Sequence, residues 1–149
     1  MSILSDSEIQ KRAENGMIQP FLPTQKKFVG QGDDAEKIVS YGLSSYGYDV
    51  RIGSNFHVFT DTHQTVLDPK NTSKDSFVEK NVEDYVIVPP NSFVLGHSVE
   101  WIDVPRDVSV VCLGKSTYAR IGIVANITPL EPEWYGQITI EISNTTPLP

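Results

Sequence analysis

The sequence predicts a mainly β protein with one short helix at its N-terminus. From about position 48 onward, short runs of β-branched and aromatic residues alternate with turn signals such as Pro89-Pro90 and Pro105-Arg106-Asp107. Several short strands at regular spacing are typical of a sandwich, a jelly roll or a small barrel. The length of 149 residues fits one domain, and the sequence shows no internal repeat or linker.

The N-terminal helix is predicted from a capping box formed by Ser5-Asp6-Ser7-Glu8. Apolar residues follow at helical spacing, at Ile9, Ala13 and Met17. Asn15-Gly16 ends the pattern, so we expect a helix over about residues 5–15.

The remaining elements are expected to be strands and connecting loops. Pro20, Pro23 and the Gly/Asp-rich residues 30–34 predict irregular surface structure, and the polar residues 70–84 predict a long excursion from the sheet. We predict strands at residues 48–52, 56–59, 85–88, 92–97, 108–113, 121–127 and 137–143.

The last predicted strand places one carboxylate opposite an apolar face. Ile138, Ile140 and Ile142 alternate with polar residues, so period-2 geometry puts the isoleucines on one face of the strand. Thr139 and Glu141 then share the other face, which is either solvated or part of a pocket. The solvated face is the commoner situation for such a strand.

A second candidate feature is the block Gly-Lys-Ser-Thr-Tyr-Ala-Arg at positions 114–120. Its start resembles the end of a P-loop, but that motif needs a glycine where this chain has Ser109. A short helical turn opening at Ser116 would aim hydroxyl groups at a phosphate and place Ser116 and Arg120 on one face. The alternative is a surface turn with a solvated Lys115 and Arg120.

Composition excludes several classes of function. A net charge of −7 argues against broad contact with a nucleic-acid backbone, although it permits a small anion held by local cations. No apolar run approaches the ~20 residues needed to span a bilayer, and we expect no secretory signal. A single cysteine, Cys112, suits a reducing compartment, so we expect a cytoplasmic protein.

Metal-dependent hydrolysis finds no support in the sequence. His57, His63 and His97 lie far apart, Cys112 has no cysteine partner at a metal-binding spacing, and the signature of zinc deaminases is absent. We therefore expect no zinc site and interpret Cys112 as a buried small hydrophobe. Trp134 and Tyr135 could stack on a base, but such residues are more often part of a core or an interface.

Together these blocks resemble the dCTP deaminase family, the zinc-free branch of the superfamily that also contains trimeric dUTPases. The resemblance covers nearly the whole chain. Its blocks are Ser-Ile-Leu-Ser-Asp at 2–6, Ser-Tyr-Gly-Leu-Ser-Ser-Tyr-Gly-Tyr-Asp-Val-Arg at 40–51, Pro-Pro-Asn-Ser-Phe at 89–93, Leu-Gly-Lys-Ser-Thr-Tyr-Ala-Arg at 113–120, Thr-Pro-Leu-Glu-Pro-Glu-Trp at 128–134 and Glu-Ile-Ser-Asn-Thr-Thr-Pro-Leu-Pro at 141–149.

The resemblance implies a distorted jelly roll or β-barrel of the dUTPase-like type, over residues 1–149, that works as a homotrimer with sites where subunits meet. It implies hydrolysis of dCTP to dUTP and ammonia, with Mg²⁺ carried by the triphosphate rather than by a protein metal site. Glu141 would be the proton shuttle, with Ser116 and Arg120 as catalytic partners. The residues expected to contact substrate are Lys115, Ser116, Thr117, Tyr118, Ala119, Arg120, Glu131, Trp134, Thr139, Ile140 and Glu141.

Alternatives within the superfamily stay open at this point. A dUTPase carries an Asp-x-Asp-Tyr type hairpin where this chain has Glu131 to Trp134, and lacks an equivalent of Glu141, so the deaminase is favoured. A bifunctional enzyme that also cleaves dUTP would use Glu131 to activate water. Relatives continue beyond the position of Pro149, so we also consider a truncated nucleotide-binding module without turnover. dTTP is a possible inhibitor.

Overall fold

The structure, a computed structural model, describes residues 2–60, 66–71 and 73–149. These residues are mainly β, which confirms the predicted fold class. No helix among them is long and apolar enough to cross a bilayer. His63 lies outside the described residues. In chain order the elements are α1 (Asp6–Glu14), β1 (Ile18–Gln19), β2 (Lys26–Val29), β3 (Glu36–Ser44), β4 (Gly47–Asp49), β5 (Asn55–Phe59), β6 (Phe77–Asn81), β7 (Ser92–Asp103), α2 (Ser116–Ala119), β8 (Ile123–Asn126) and β9 (Tyr135–Asn144).

The N-terminal helix forms as predicted, within one residue at each end. The Glu8 backbone N–H donates to Ser5 Oγ at 3.4 Å, and the Ser5 backbone N–H donates to Glu8 Oε2 at 3.0 Å, so both halves of the capping box are present. The hydrogen bond from Ser5 holds the pKa of Glu8 below its ordinary value. Ile9 and Ala13 are buried, which confirms the predicted apolar face.

The chain divides into two compact units, and the first comprises Met1–Arg51, Ser98–Val111 and Pro129–Ile138. It contains an antiparallel sheet in the order β2-β3-β4, while β1 pairs with the end of β7 through Ile18 and Ile102. Its buried apolar residues come from segments far apart in sequence, namely Ile9, Ala13, Met17, Ile18, Leu43, Ile102, Val104, Leu130 and Ile138.

A buried ion pair anchors the first unit. Glu100 on β7 is fully buried, and its two carboxylate oxygens accept from the Nε and the backbone N–H of Arg51 at 2.7 and 2.9 Å. The Arg51 guanidinium also lies 5.5 Å from the centroid of the Tyr41 ring, a cation–π distance. Since an unpaired buried charge is costly, Arg51 is needed to compensate Glu100.

The second unit comprises Ile52–His97, Cys112–Thr128 and Thr139–Pro149. Within it β5 pairs with both β6 and β7, and β8 pairs with β9, all antiparallel. Phe56, Val58 and Val94 form its buried core. Partly buried hydrophobic residues pack against that core, namely Val82, Val86, Val88 and Ile142.

Two predicted strands are wrong. Residues 85–88 form no strand: Val86 and Val88 are apolar because they pack against the core of the second unit, and Pro89-Pro90 follows them. Residues 108–113 contain one isolated bridge, between Val110 and Leu130. Periodicity alone does not distinguish an apolar packed loop from a paired strand.

Four strands were missed by the sequence analysis, and the shortest of them is the two-residue β1. β2 and the first half of β3 flank the Gly/Asp-rich turn that was expected to be irregular surface. β6 lies inside the predicted polar excursion and pairs with all five residues of β5. Most side chains of β2 and β6 are exposed, including apolar ones such as Phe28 and Val29, so these strands lack the expected alternation of buried apolar and exposed polar residues.

Candidate active site

The helical turn predicted at Ser116 forms, and most of its side chains are exposed. Ser116 opens the one-turn helix α2, and the Arg120 backbone N–H donates to the Ser116 carbonyl at 3.1 Å. Lys115, which precedes α2, is half-buried. Exposed side chains make up the rest of the block, namely Ser116, Thr117, Tyr118, Ala119 and Arg120. The turn therefore presents two hydroxyl groups and a guanidinium to a ligand arriving from solvent.

Close backbone contacts at both ends hold α2 in place. A Cβ on Gly114 would lie 2.7 Å from the Ala125 carbonyl oxygen, so the chain entering α2 runs directly against β8. Gly122, just beyond α2, has φ +79°, and its carbonyl accepts from the backbone N–H of Thr145 at 3.0 Å and from Thr145 Oγ1 at 2.8 Å. Glycine at 122 is required because a Cβ there would lie 2.5 Å from Thr146 Cγ2.

The last strand has the predicted geometry. Ile138 and Ile140 are buried and Ile142 packs against the core of the second unit, so the isoleucines share the inward face. Thr139 on the opposite face is exposed, and Glu141 is half-buried. The isoleucine face fixes the backbone of β9, and Glu141 is presented on its outer side.

Each carboxylate oxygen of Glu141 accepts one hydrogen bond. Asn126 is paired with Glu141 in the β8–β9 register, and its Nδ2 donates to Glu141 Oε2 at 3.3 Å. Ser143 Oγ donates to Glu141 Oε1 at 3.4 Å. Sequence reasoning missed both partners. It predicted strands at residues 121–127 and 137–143, but the sequence of these segments does not specify the pairing register that brings Asn126 opposite Glu141.

The turn and the acid are joined through β8 in the second unit. Gly114 runs against Ala125 on β8, and Ala125 is paired with Ile142, which follows Glu141 on β9. The other end of the turn is fixed to Thr145, four residues or about 13 Å along the chain from Glu141. Neither Ser116 nor Arg120 is a hydrogen-bond partner of Glu141 in the described part of the chain.

Two predicted contact residues, Glu131 and Trp134, belong to the first unit. The Trp134 backbone N–H donates to the Glu131 carbonyl at 3.2 Å, and the intervening Glu133 has φ +67°. Glu131 is exposed, and the Trp134 ring lies against Gly136. These residues therefore form a tight turn that enters β9.

Cys112 lies two residues before Gly114 and is half-buried rather than buried. Desolvation raises the pKa of its thiol, which disfavours the reactive thiolate. No three His, Cys, Asp or Glu side chains cluster as metal ligands within residues 2–60, 66–71 and 73–149.

Comparison with known proteins relates this geometry to a family. The sequence model described as dCTP deaminase-like matches residues 3–149. Curated proteins named dCTP deaminase from Acidiphilium cryptum and Acidovorax sp. are 56% and 57% identical over 150 residues, covering all of this chain and 77% of each relative. The dCTP deaminase of Gluconobacter oxydans is 55% identical over the same length.

A solved structure supports the fold. The crystal structure of 2'-deoxycytidine 5'-triphosphate deaminase from Agrobacterium tumefaciens matches with a TM-score of 0.66 and 17% sequence identity. The match covers 97% of this chain and 42% of that one. At this identity the likeness concerns the fold, and it agrees with the predicted mainly β fold class. With its family model matched from residue 3 to 149 and relatives above 50% identity, the chain belongs to the dCTP deaminase-like family.

Proposed function

We propose that residues 1–149 form one nucleotide-binding domain that hydrolyses dCTP to dUTP and ammonia. The observation that carries the proposal is the identity of about 55% to proteins named dCTP deaminase over the whole chain. Glu141 supports it, because a carboxylate is held on the outer face of a strand whose inner face is packed in the core.

Deamination requires a proton to be moved twice. A water oxygen bonds to C4 of cytosine, and the C4–N bond breaks to release ammonia. In the proposal the Glu141 carboxylate takes a proton from the attacking water and delivers it to N3 of the ring. It then takes the proton of the new C4 hydroxyl and delivers it to the departing amine, so that one group serves twice as base and as acid. The Ser116 hydroxyl orients the water, and Arg120 stabilises charge on the reacting ring.

The substrate is proposed to enter as the magnesium complex of dCTP. Lys115, Ser116 and Thr117 supply one cation and two hydroxyls for the triphosphate, while the backbone of Tyr118 and Ala119 completes the turn. A chain of net charge −7 can hold this anion because screened interactions act locally. Mg²⁺ neutralises part of the triphosphate charge and prefers phosphate oxygens. Thr139 and the backbone of Ile140 would line the base pocket, since the Ile140 side chain is buried.

A homotrimer belongs to the same proposal. Large apolar side chains are exposed around α2 and β8, namely Leu113, Tyr118, Ile121 and Val124. Such a patch is typical of an interface. Because Ser116 and Arg120 make no hydrogen bond to Glu141 within the chain, a neighbouring protomer supplying one of the two elements would complete the site. Sedimentation should give three times the chain mass of 16.6 kDa, and a monomer at the assay concentration would contradict this arrangement.

The assay follows ammonia and the ultraviolet spectrum during incubation with dCTP and Mg²⁺. Ammonia release together with a change from cytosine to uracil absorbance supports deamination. Binding without release would identify a nucleotide-binding module instead. The bifunctional alternative is not favoured, because the curated relatives carry the name dCTP deaminase. If dUMP and pyrophosphate appear among the products, the bifunctional alternative is supported instead. We further propose that dTTP competes for the site, and that the protein acts in the cytoplasm, where Cys112 stays reduced.

A further inference from the structure

We infer that Asn126 and Ser143 are positioning residues, which hold the Glu141 carboxylate in one orientation for proton transfer. This inference rests on the proposed deaminase function and deepens it. The observation behind it is the pair of hydrogen bonds that brings one donor to each oxygen of the same carboxylate.

The sheet register places the three side chains on one face. Asn126 lies directly opposite Glu141 in the β8–β9 pair, and Ser143 follows Glu141 by two residues on β9. Directly opposed residues and residues two apart point to the same side of an antiparallel pair. Asn126, Glu141 and Ser143 therefore form a polar cluster on the outer face of the second unit.

The backbone beneath this cluster is rigid, which leaves only the side chain of Glu141 to be ordered. Ile140 is buried and Ile142 packs against the core, so both neighbours of Glu141 are anchored. A glutamate side chain otherwise retains several rotamers, and ordering it during catalysis lowers the rate. Two donors that select one rotamer before substrate binds remove that loss.

The hydrogen bonds also leave Glu141 free to react. An ionised carboxylate has about four lone-pair sites, of which Asn126 and Ser143 occupy one on each oxygen. A site on either oxygen can still accept the proton of a water molecule. Because the Asn126 amide and the Ser143 hydroxyl do not act as bases toward the transferred proton, they orient the carboxylate without competing for that proton.

The test replaces Asn126 by leucine, which has the same branched shape and no donor. Losing one oriented hydrogen bond to a carboxylate should lower kcat for dCTP about tenfold while KM changes less than about twofold. Ser143→Ala should act in the same direction. Asn126→Gln retains the amide donor and should recover part of kcat.

The matched control is Asn81→Leu, since Asn81 is another exposed asparagine at the end of a strand in the second unit. It should leave kcat unchanged. A direct readout is the ¹³C chemical shift of the Glu141 side-chain carboxyl, assigned by its loss in Glu141→Gln. This shift should move in Asn126→Leu and stay constant in Asn81→Leu.

The outcomes separate this inference from the proposed function. If the wild type is active and Asn126→Leu has the same kcat and the same carboxyl shift as the wild type, the positioning role is overturned and the proposed deamination stands. Reduced stability with unchanged kcat identifies a purely structural cross-strand pair and overturns it equally. A wild type that releases no ammonia overturns the proposed function and this inference together.

Discussion

Gly122 connects α2 to the residues that follow β9, and replacing it with alanine tests how tightly that connection is built. Its φ of +79° is unfavourable for alanine by ~1–2 kcal/mol. The added Cβ would also lie 2.5 Å from Thr146 Cγ2, and such overpacking costs ~1–3 kcal/mol. The lower chain entropy of unfolded alanine offsets about 0.4–1 kcal/mol. The expected net loss in the free energy of unfolding is ~1–4.5 kcal/mol.

Gly32→Ala is the matched control. Gly32 has a similar φ of +64°, but a Cβ there would meet no atom within 4 Å. Gly32→Ala shares the backbone strain and the entropy gain of Gly122→Ala but lacks the contact with Thr146. The free energies of unfolding of the two variants should therefore differ by ~1–3 kcal/mol. With a urea slope of about 2 kcal/mol per molar, the midpoints should differ by ~0.5–1.5 M at equal protein concentration.

The same pair of variants should separate in activity. Displacing the Gly122–Thr145 contact shifts α2, so KM for dCTP should rise in Gly122→Ala and stay unchanged in Gly32→Ala. Equal urea midpoints for the two variants would refute the reasoning, because the Thr146 contact would then impose no constraint.

Three further predictions concern charged groups. Glu141→Gln should lower kcat for dCTP by about 10²–10⁴-fold while calorimetry still detects dCTP binding. Normal turnover by this variant would show that Glu141 does not transfer the proton. Arg51→Ala leaves the fully buried Glu100 carboxylate uncompensated and should cost ~3–5 kcal/mol of unfolding free energy, and a loss below about 1 kcal/mol would contradict the ion-pair argument. The hydrogen bond from Arg12 holds the pKa of Asp107 below its ordinary value of 3.8, so its stabilisation is present above that pH and is lost as the pH falls through the lowered pKa. Thermal midpoints of Asp107→Asn and wild type should accordingly differ slightly at pH 7 and converge in strong acid, and a constant difference would argue against this linkage.

Local signals in the sequence predicted the elements that local interactions determine. The capping box at Ser5 and Glu8 specifies the start of α1 because both hydrogen bonds lie within four residues. The alternation from Ile138 to Ile142 predicted the two faces of β9. It could do so because Ile138 and Ile140 are buried and Ile142 packs against the core of the second unit. The turn opening at Ser116 was predicted for a similar reason, because its hydrogen bonds close within one helical turn.

Features that depend on distant partners were not predictable in the same way. β6 is polar and exposed and becomes a strand only because β5 pairs with it. Residues 85–88 look like a strand because the core of the second unit requires apolar side chains there. The Asn126–Glu141 contact depends on a register that single-sequence patterns do not specify. The same limit applies to Arg51, whose partner Glu100 lies 49 residues away.

Deamination in water enriched in ¹⁸O tests the central claim most directly. If water attacks C4 with help from Glu141, the dUTP formed by the wild type should carry the heavy isotope in its uracil ring, with one ammonia released per nucleotide. Glu141→Gln should yield unlabelled, unreacted dCTP under the same conditions. Labelled dUTP from both proteins, or intact dCTP from both, would contradict the account.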